Sequence, residues 1–550
     1  MSTLKKKLIT LLACISASTL MLGCTACAAE LGRTPSHVFG QKSESEQVSS
    51  EEGDTEDNAE DDNASQEENG EGVPEESPEV SEEESVEEVP EVLTDAEGLG
   101  YEYVTVADDK GVLVDEYYVV RGIGICKDTR VQIPAEVNGL PVREISAWAF
   151  DNNDKITKIV IPESVRVIGK DAFKWCHNLQ TVEILAEEME SIGEGAFSYC
   201  MSLEEINIPK GVKEIPENTF NMCFSLANVT LPDTLEYIGE NAFLRCLSLK
   251  EIAIPKATTQ IDCNAFYRCE SLEKIDFLNA DKLTEISIKS FLGCSALTEV
   301  ELPESLKQIG LSAFAYCTSL ESVKIGKKVE QIGDYAFGAC TNLKEIAVVK
   351  ENATYQSIDG DLYTKDGVIM LQYAIGKEDT SFIVNNDVKR IWVGAFADAV
   401  NLTEIQFSDN LTSIEADAFY GCKNLKEITL PDTFKKLGKY AFANCVGLDK
   451  VTLPDVIFSM EDFAFFKSEA VKIFFKGNAD AWVLHVKCGV WLGFDDADVY
   501  VYSEEEPAQE GNWWHYVEGE IVVWGEELPE ETPDVPEEPG VEDDSTESAE

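Results

Sequence analysis

Apolar positions recur along this chain with a period far longer than that of a helix or a strand. Phe stands at 150, 173, 197, 220, 243, 266, 291, 314 and 337, then at 396, 419, 442 and 465. The steps are 23 residues, with one of 24, one of 25 and one gap of 59. Five residues before each Phe sits Ile, replaced by Leu437 and Met460 in the last two units. Ala directly precedes the Phe except at Thr219 and Ser290. Six residues after the Phe most units open L-x-x-I-x-I-P, as in Leu425, Ile428, Leu430 and Pro431. A repeat of this length predicts a solenoid.

The pattern inside one unit predicts its elements. I-x-I reads as a short strand, its two apolar residues facing inward and the residue between them facing out. Pro ends the strand because it cannot donate the next ladder bond. The stretch from Gly239 to Cys246 and its counterparts predict a turn followed by a short helical piece, with Phe filling the space behind the strand. A single unit cannot bury its own apolar face, so neighbours must stack and share one core. Burying a Phe contributes about 1.5–3 kcal/mol, much of which offsets the cost of ordering the chain.

The run IGENAFLRCLSLKEIAIP, Ile238 to Pro255, resembles the BspA-like, treponema-type leucine-rich repeat when repeated at this spacing. The resemblance implies an α/β repeat solenoid over 145–476, with a strand-rich N-terminal cap and an aromatic C-terminal cap. The segment from Gly111 to Ile145 resembles the family's lead-in, placed at 98–144. The run from Tyr355 to Tyr373 resembles its hairpin insertion, at about 350–384, with Lys365-Asp366-Gly367 as the turn. The run from Val499 to Trp524 resembles its closing module, placed at 477–526. The family implies a cell-surface adhesin that binds host matrix proteins, host cells or other microbes. A scaffold of the bacterial envelope is the alternative role, as is glycan binding through the aromatic module.

Charge changes the picture at both ends. The net charge of −60 is uneven: residues 1–109 carry about −23, residues 488–550 about −21, and the middle about −16. Such a balance excludes nucleic acid as the partner, since phosphate binding needs a basic surface. The low-complexity acidic run at 25–97 is expected to be a disordered stalk, and 527–550 a disordered tail, because neither has enough apolar surface to offset ordering. At the start, Lys5 to Lys7 precede the apolar run Leu8 to Leu22, which predicts an export signal over 1–24. Met21 to Cys24 reads MLGC and resembles a bacterial lipobox, which implies acylation at Cys24 and display on the outer face of the cell membrane. Cleavage after Ala28, releasing the protein, is the rival. The lipid is then the only membrane contact expected, and the partners are extracellular proteins or glycans.

Candidate chemistry is sparse. Cys recurs three residues after the Phe at 176, 200, 223, 246, 269, 294, 317, 340, 422 and 445, with Asn153, Ala399 and Ser468 in its place elsewhere. Structural zinc wants four ligands in clustered pairs, and this spacing does not supply them. Neighbouring coils lie close enough for disulfides, yet in-register side chains point in parallel. The ladder therefore reads as buried thiols, with disulfides as the alternative, and Cys126, Cys263 and Cys488 are left unassigned. The histidines, His37, His177, His485 and His515, form no HExxH, and neither a nucleophile elbow nor a P-loop occurs. No catalytic residue and no cofactor are expected. The candidate binding strip is the outward strand position: Glu183, Asn207, Thr230, Asp276, Glu301, Lys324, Gln406, Thr429 and Thr452. A candidate aromatic patch comprises Trp482, Trp491, Trp513, Trp514 and Trp524, which reads either as a cap over the last coil or as a ligand platform.

Overall fold

Each coil lays down two short parallel strands and one run of turns. A computed structural model describes residues 95–277, 279–468, 471–485, 498–507, 511–517 and 520–525, all within the unit Val89–Glu550. The export signal, Cys24 and the acidic run to residue 94 lie outside the described residues, as do Cys488, Trp491 and the tail after 525.

The first strand of a coil is the expected I-x-I element. Glu205–Asn207 pairs in parallel with Asn228–Thr230, and Glu427–Thr429 with Lys450–Leu453, each residue opposite its equivalent one coil on. The second strand is only two residues long and ends at the Ile before the Gly. Tyr237–Ile238, Gln260–Ile261, Glu285–Ile286 and Gln308–Ile309 form a second parallel ladder. Periodicity does not reveal a two-residue strand, so only its position in the stack exposes it. Gly239 follows directly, and a Cβ there would meet backbone atoms of Ile215 and Glu217 at 2.9 Å. The I-G pair thus marks a place where adjacent coils come too close for a side chain.

The stretch expected to be helical is a run of turns instead. In one coil Ala242, Leu244 and Cys246 donate their N–H groups within the coil, to Gly239, Asn241 and Phe243. Asn241, Phe243 and Arg245 donate to the next coil, to Cys263, Ala265 and Tyr267 at 3.0, 2.7 and 2.8 Å. Alternation between own-coil and next-coil acceptors is incompatible with a helix, which sends every N–H along its own chain. It also bends the backbone: Asn241 and Arg245, on either side of Phe243, have φ of 55° and 58°, and the same pair of positions is left-handed in coil after coil. Asn and Asp, which tolerate this region, hold the first of the two in Asp171, Asn218, Asn241, Asn264 and Asp417.

The core runs between the ladders. Phe150, Phe173, Phe197, Phe220, Phe243, Phe266, Phe291, Phe314 and Phe337 are buried and stack at centroid separations of 5.1–5.9 Å. The second stack begins at Tyr373, which lies 23 residues before Phe396 and stacks on it at 5.1 Å. Between the two stacks the insertion forms an antiparallel meander of Tyr355–Ile358, Asp361–Thr364 and Ile369–Gln372. Its turn is the expected one: Asp366 accepts from Thr364 Oγ1 at 2.7 Å and from Val368 N at 3.1 Å, and Gly367 has φ 72°. The one helix among the described residues is Ala479–His485.

Candidate functional site

The outward strip is built by the first ladder, whose inward Ile side chains fix which residues must face out. Glu183, Asn207, Thr230, Glu301, Lys324, Gln406 and Thr429 are exposed there, and Asp276 is half-buried. Thr452 is a correction: it is buried, because it pairs with Phe474, whose ring stacks on Tyr500 and covers it. Charges on the strip pair between coils, with Lys158–Glu183 at 3.0 Å and Lys324–Glu301 at 3.9 Å. Such exposed pairs contribute little to stability. The strip thus offers small polar groups at a regular spacing of about 4.8 Å, without a focused charge.

The cysteines are free at every described ladder position. Their thiols do more than pack. Cys246 Sγ donates to the carbonyl of Phe220 in the preceding coil at 3.3 Å, and Cys223, Cys269 and Cys340 donate likewise to Phe197, Phe243 and Phe314 at 3.1–3.2 Å. Ser468 makes the same bond, to Phe442 at 2.9 Å. Burial pushes the thiols of Cys269, Cys340 and Cys445 up to about 12, so thiolate chemistry is suppressed. Among the described residues no group of three or more His, Cys, Asp or Glu is placed to hold a metal.

The C-terminal aromatics divide between two faces of one sheet. Lys472–Phe475, Asp498–Tyr502 and Trp513–Val517 continue the first ladder in parallel, and Glu520–Val523 closes it antiparallel. Trp514 is wholly buried against Phe474 and donates Nε1–H to the carbonyl of Phe475 at 3.1 Å. As an exposed platform residue it is therefore a correction, since alternation along the strand turns it onto Phe474. Trp482 packs on Phe475, and Trp524 lies against His515 while donating to Ser503. Trp513 is half-buried. Two of the tyrosines among them carry the open surface: Tyr516 is 45% exposed and Tyr502 is half-buried. Tyr516 lies two residues after Trp514 along Trp513–Val517 and so shares its face, with the rings 5.0 Å apart.

No helix among the described residues is long and apolar enough to cross a membrane. A family model for the BspA type leucine rich repeat region matches residues 143–273, 259–362 and 377–481. Solved structures similar to the chain include a leucine rich cell surface protein from Faecalibacterium prausnitzii, 25% identical with a TM-score of 0.45, covering 70% of this chain and 95% of that one. A leucine-rich repeat protein from Bacteroides ovatus is 23% identical with a TM-score of 0.46, covering 74% and 99%. No curated protein matches.

Proposed function

Because this chain belongs to the BspA type leucine-rich repeat family, we propose that it is an extracellular binding protein displayed on a bacterial cell. The observation that carries the reading is the exposed strip on the first ladder, from Glu183 through Asn207, Thr230, Glu301 and Lys324 to Gln406 and Thr429. Stacked coils of a solenoid hold such side chains at fixed spacing over a long surface. A pre-ordered surface loses little conformational freedom when a partner docks. Small polar groups without a dominant charge suit a wet, polar interface with another protein. Adhesion to matrix proteins, host cells or other microbes is the role this surface would serve. Lys5 to Lys7, the apolar run to Leu22 and the MLGC sequence ending at Cys24 support export and lipid anchoring.

The full chain should bind at least one immobilised matrix protein, mucin or microbial surface saturably. Replacing Asn207 and Thr230 together by Arg, with unchanged circular dichroism, should weaken that binding on the order of tenfold. Background signal on every surface, or binding indifferent to the double substitution, would remove the adhesion reading. Separately, Cys24→Ala should shift the protein from the membrane fraction to the medium or leave it unprocessed. Unchanged membrane retention would rule out anchoring at that residue.

A further inference from the structure

The last strands of the first ladder carry aromatic residues where earlier coils carry small polar ones. In register, Thr429, Thr452, Phe474 and Tyr500 succeed one another, and Tyr502 follows on the same face as Tyr500. Tyr502 and Tyr516 stand 6.1 Å apart with their rings at 49°, an open wedge. Trp514 meets both rings edge-on, at 5.2 and 5.0 Å, and its own hydrogen bond to Phe475 fixes it. The wedge is therefore held from beneath by a buried side chain.

Beside the wedge lie Asp432, Asp455 and Lys476, and together the five residues line a cleft of about 310 Å³. Lys476 Nζ donates to Asp432 Oδ1 at 2.9 Å, reaching past the coil that carries Asp455. Asp455 has no ion-pair partner among the described residues, and neither tyrosine hydroxyl donates to a protein group among them. The cleft thus combines two aromatic faces, unpaired acceptors, and the remaining N–H groups of one ammonium.

We propose that this cleft binds a neutral pyranose glycan. A sugar ring has an apolar C–H face that packs on an aromatic face, and a rim of hydroxyls that need both donors and acceptors. Asp455 accepts from hydroxyls in charge-assisted bonds, and the spare Lys476 protons donate to them. Two carboxylates against one ammonium disfavour phosphate, sialic or uronic groups. A calcium ion would need six to eight oxygen ligands, and one of the two carboxylates here is already paired. The volume lies at the lower end of small-ligand sites, which fits one or two sugar rings and not a folded partner. Rigid tyrosines lose little rotamer freedom on contact. This site goes beyond the strip reading and stands independently of it.

Calorimetric titration of the full chain with maltose, cellobiose, lactose and N,N′-diacetylchitobiose tests the proposal. Saturable binding of at least one of them, with a change in tryptophan fluorescence from Trp514, is the expected result. Tyr516→Ala should weaken it on the order of tenfold, and Asp455→Asn should weaken it in the same direction. Tyr516 is largely outside the core, so an unchanged thermal unfolding curve will certify the variant's fold. The proposal is overturned if none of the four disaccharides binds or if binding survives both substitutions. Selective uptake of digalacturonate or an oligolysine peptide at this cleft would overturn it equally.

Discussion

At the scale of single residues, the ladder cysteines separate what the sequence says from what only the stack can say. Their burial was legible: the position accepts Ser and Ala and follows the core Phe by three residues. Their donor role was not, because the acceptor is a Phe carbonyl 26 residues upstream, as for Cys246 and Phe220. Ser468 carries the clue, since it makes the same bond through a hydroxyl. Cys246→Ser should therefore stay within about 1 kcal/mol of the parent, whereas Cys246→Ala loses both the bond and the sulfur's packing, about 1–2 kcal/mol. Denaturant midpoints on the two variants check the order, and an Ala variant as stable as the Ser variant would reduce the slot to packing. Reactivity gives a second test. Cys126 is partly exposed near Asp128, while the ladder thiols are buried with pKa values raised by loss of water, such as Cys269 at about 12. Native alkylation at pH 8 followed by mass spectrometry should label Cys126 ahead of every described ladder cysteine.

At the scale of elements, the first strand and the insertion turn were legible because each has a local signature: alternation ending in Pro, and Lys365-Asp366-Gly367. The turn run was misread as helical because Ala and Phe at short spacing fit a helix locally, while the hydrogen bonds that decide the matter go to the next coil. Tyr373 was also missed. It sits one period before Phe396, and its N–H donates to Ala395 at 2.8 Å as Phe243 donates to Ala265, so a phase count across the gap would have found it. Phe243 lies between Phe220 and Phe266 at 5.2 and 5.1 Å, and Phe243→Ala should cost about 3–5 kcal/mol in chemical unfolding. Little change would mean the ring stack is not the core. The insertion also holds a buried ion pair, Asp361 with Lys377 at 2.7 Å. Burial outweighs the bonds from Ala374 and Lys377 and pushes the Asp361 carboxyl up to about 6. A carboxyl raised above its unfolded value holds its proton more tightly in the folded chain, so the ionised group opposes folding above that pH. That opposition fades as pH falls from about 6 toward 4. Amide exchange across Asp361–Thr364 and Ile369–Gln372, corrected for intrinsic rates, should show more protection at pH 5 than at pH 7. Asp361→Asn should flatten the difference.

At the scale of the whole molecule, the period fixes how stability is shared. Nearly all of a coil's contacts are with its two neighbours, so stability is close to a sum of coil and interface contributions, and an end coil with an uncovered core would fray. The aromatics after residue 470 meet that need at one end: Phe475 continues the core of the second stack, and Phe474, Tyr500 and Trp514 form a small separate cluster on the opposite face of the same sheet. The sequence announced the abundance of aromatics there but not the split, because strand alternation places Trp513 and Trp514 on opposite faces only once the pairing is known. Trp514→Ala removes a wholly buried indole and leaves the Phe475 carbonyl without its donor, a loss of about 3–5 kcal/mol. In a globular core that loss would spread through one cooperative unit. Here it should stay local, because long repeat arrays lose all-or-none cooperativity. Amide exchange should therefore speed up in Lys450–Leu453 and Lys472–Phe475, while Glu205–Asn207 and Asn228–Thr230, nine or more coils away in the first stack, keep their rates. If those distant strands lose protection to the same degree, the solenoid unfolds as a single unit, and nearest-neighbour coupling is the wrong description of it.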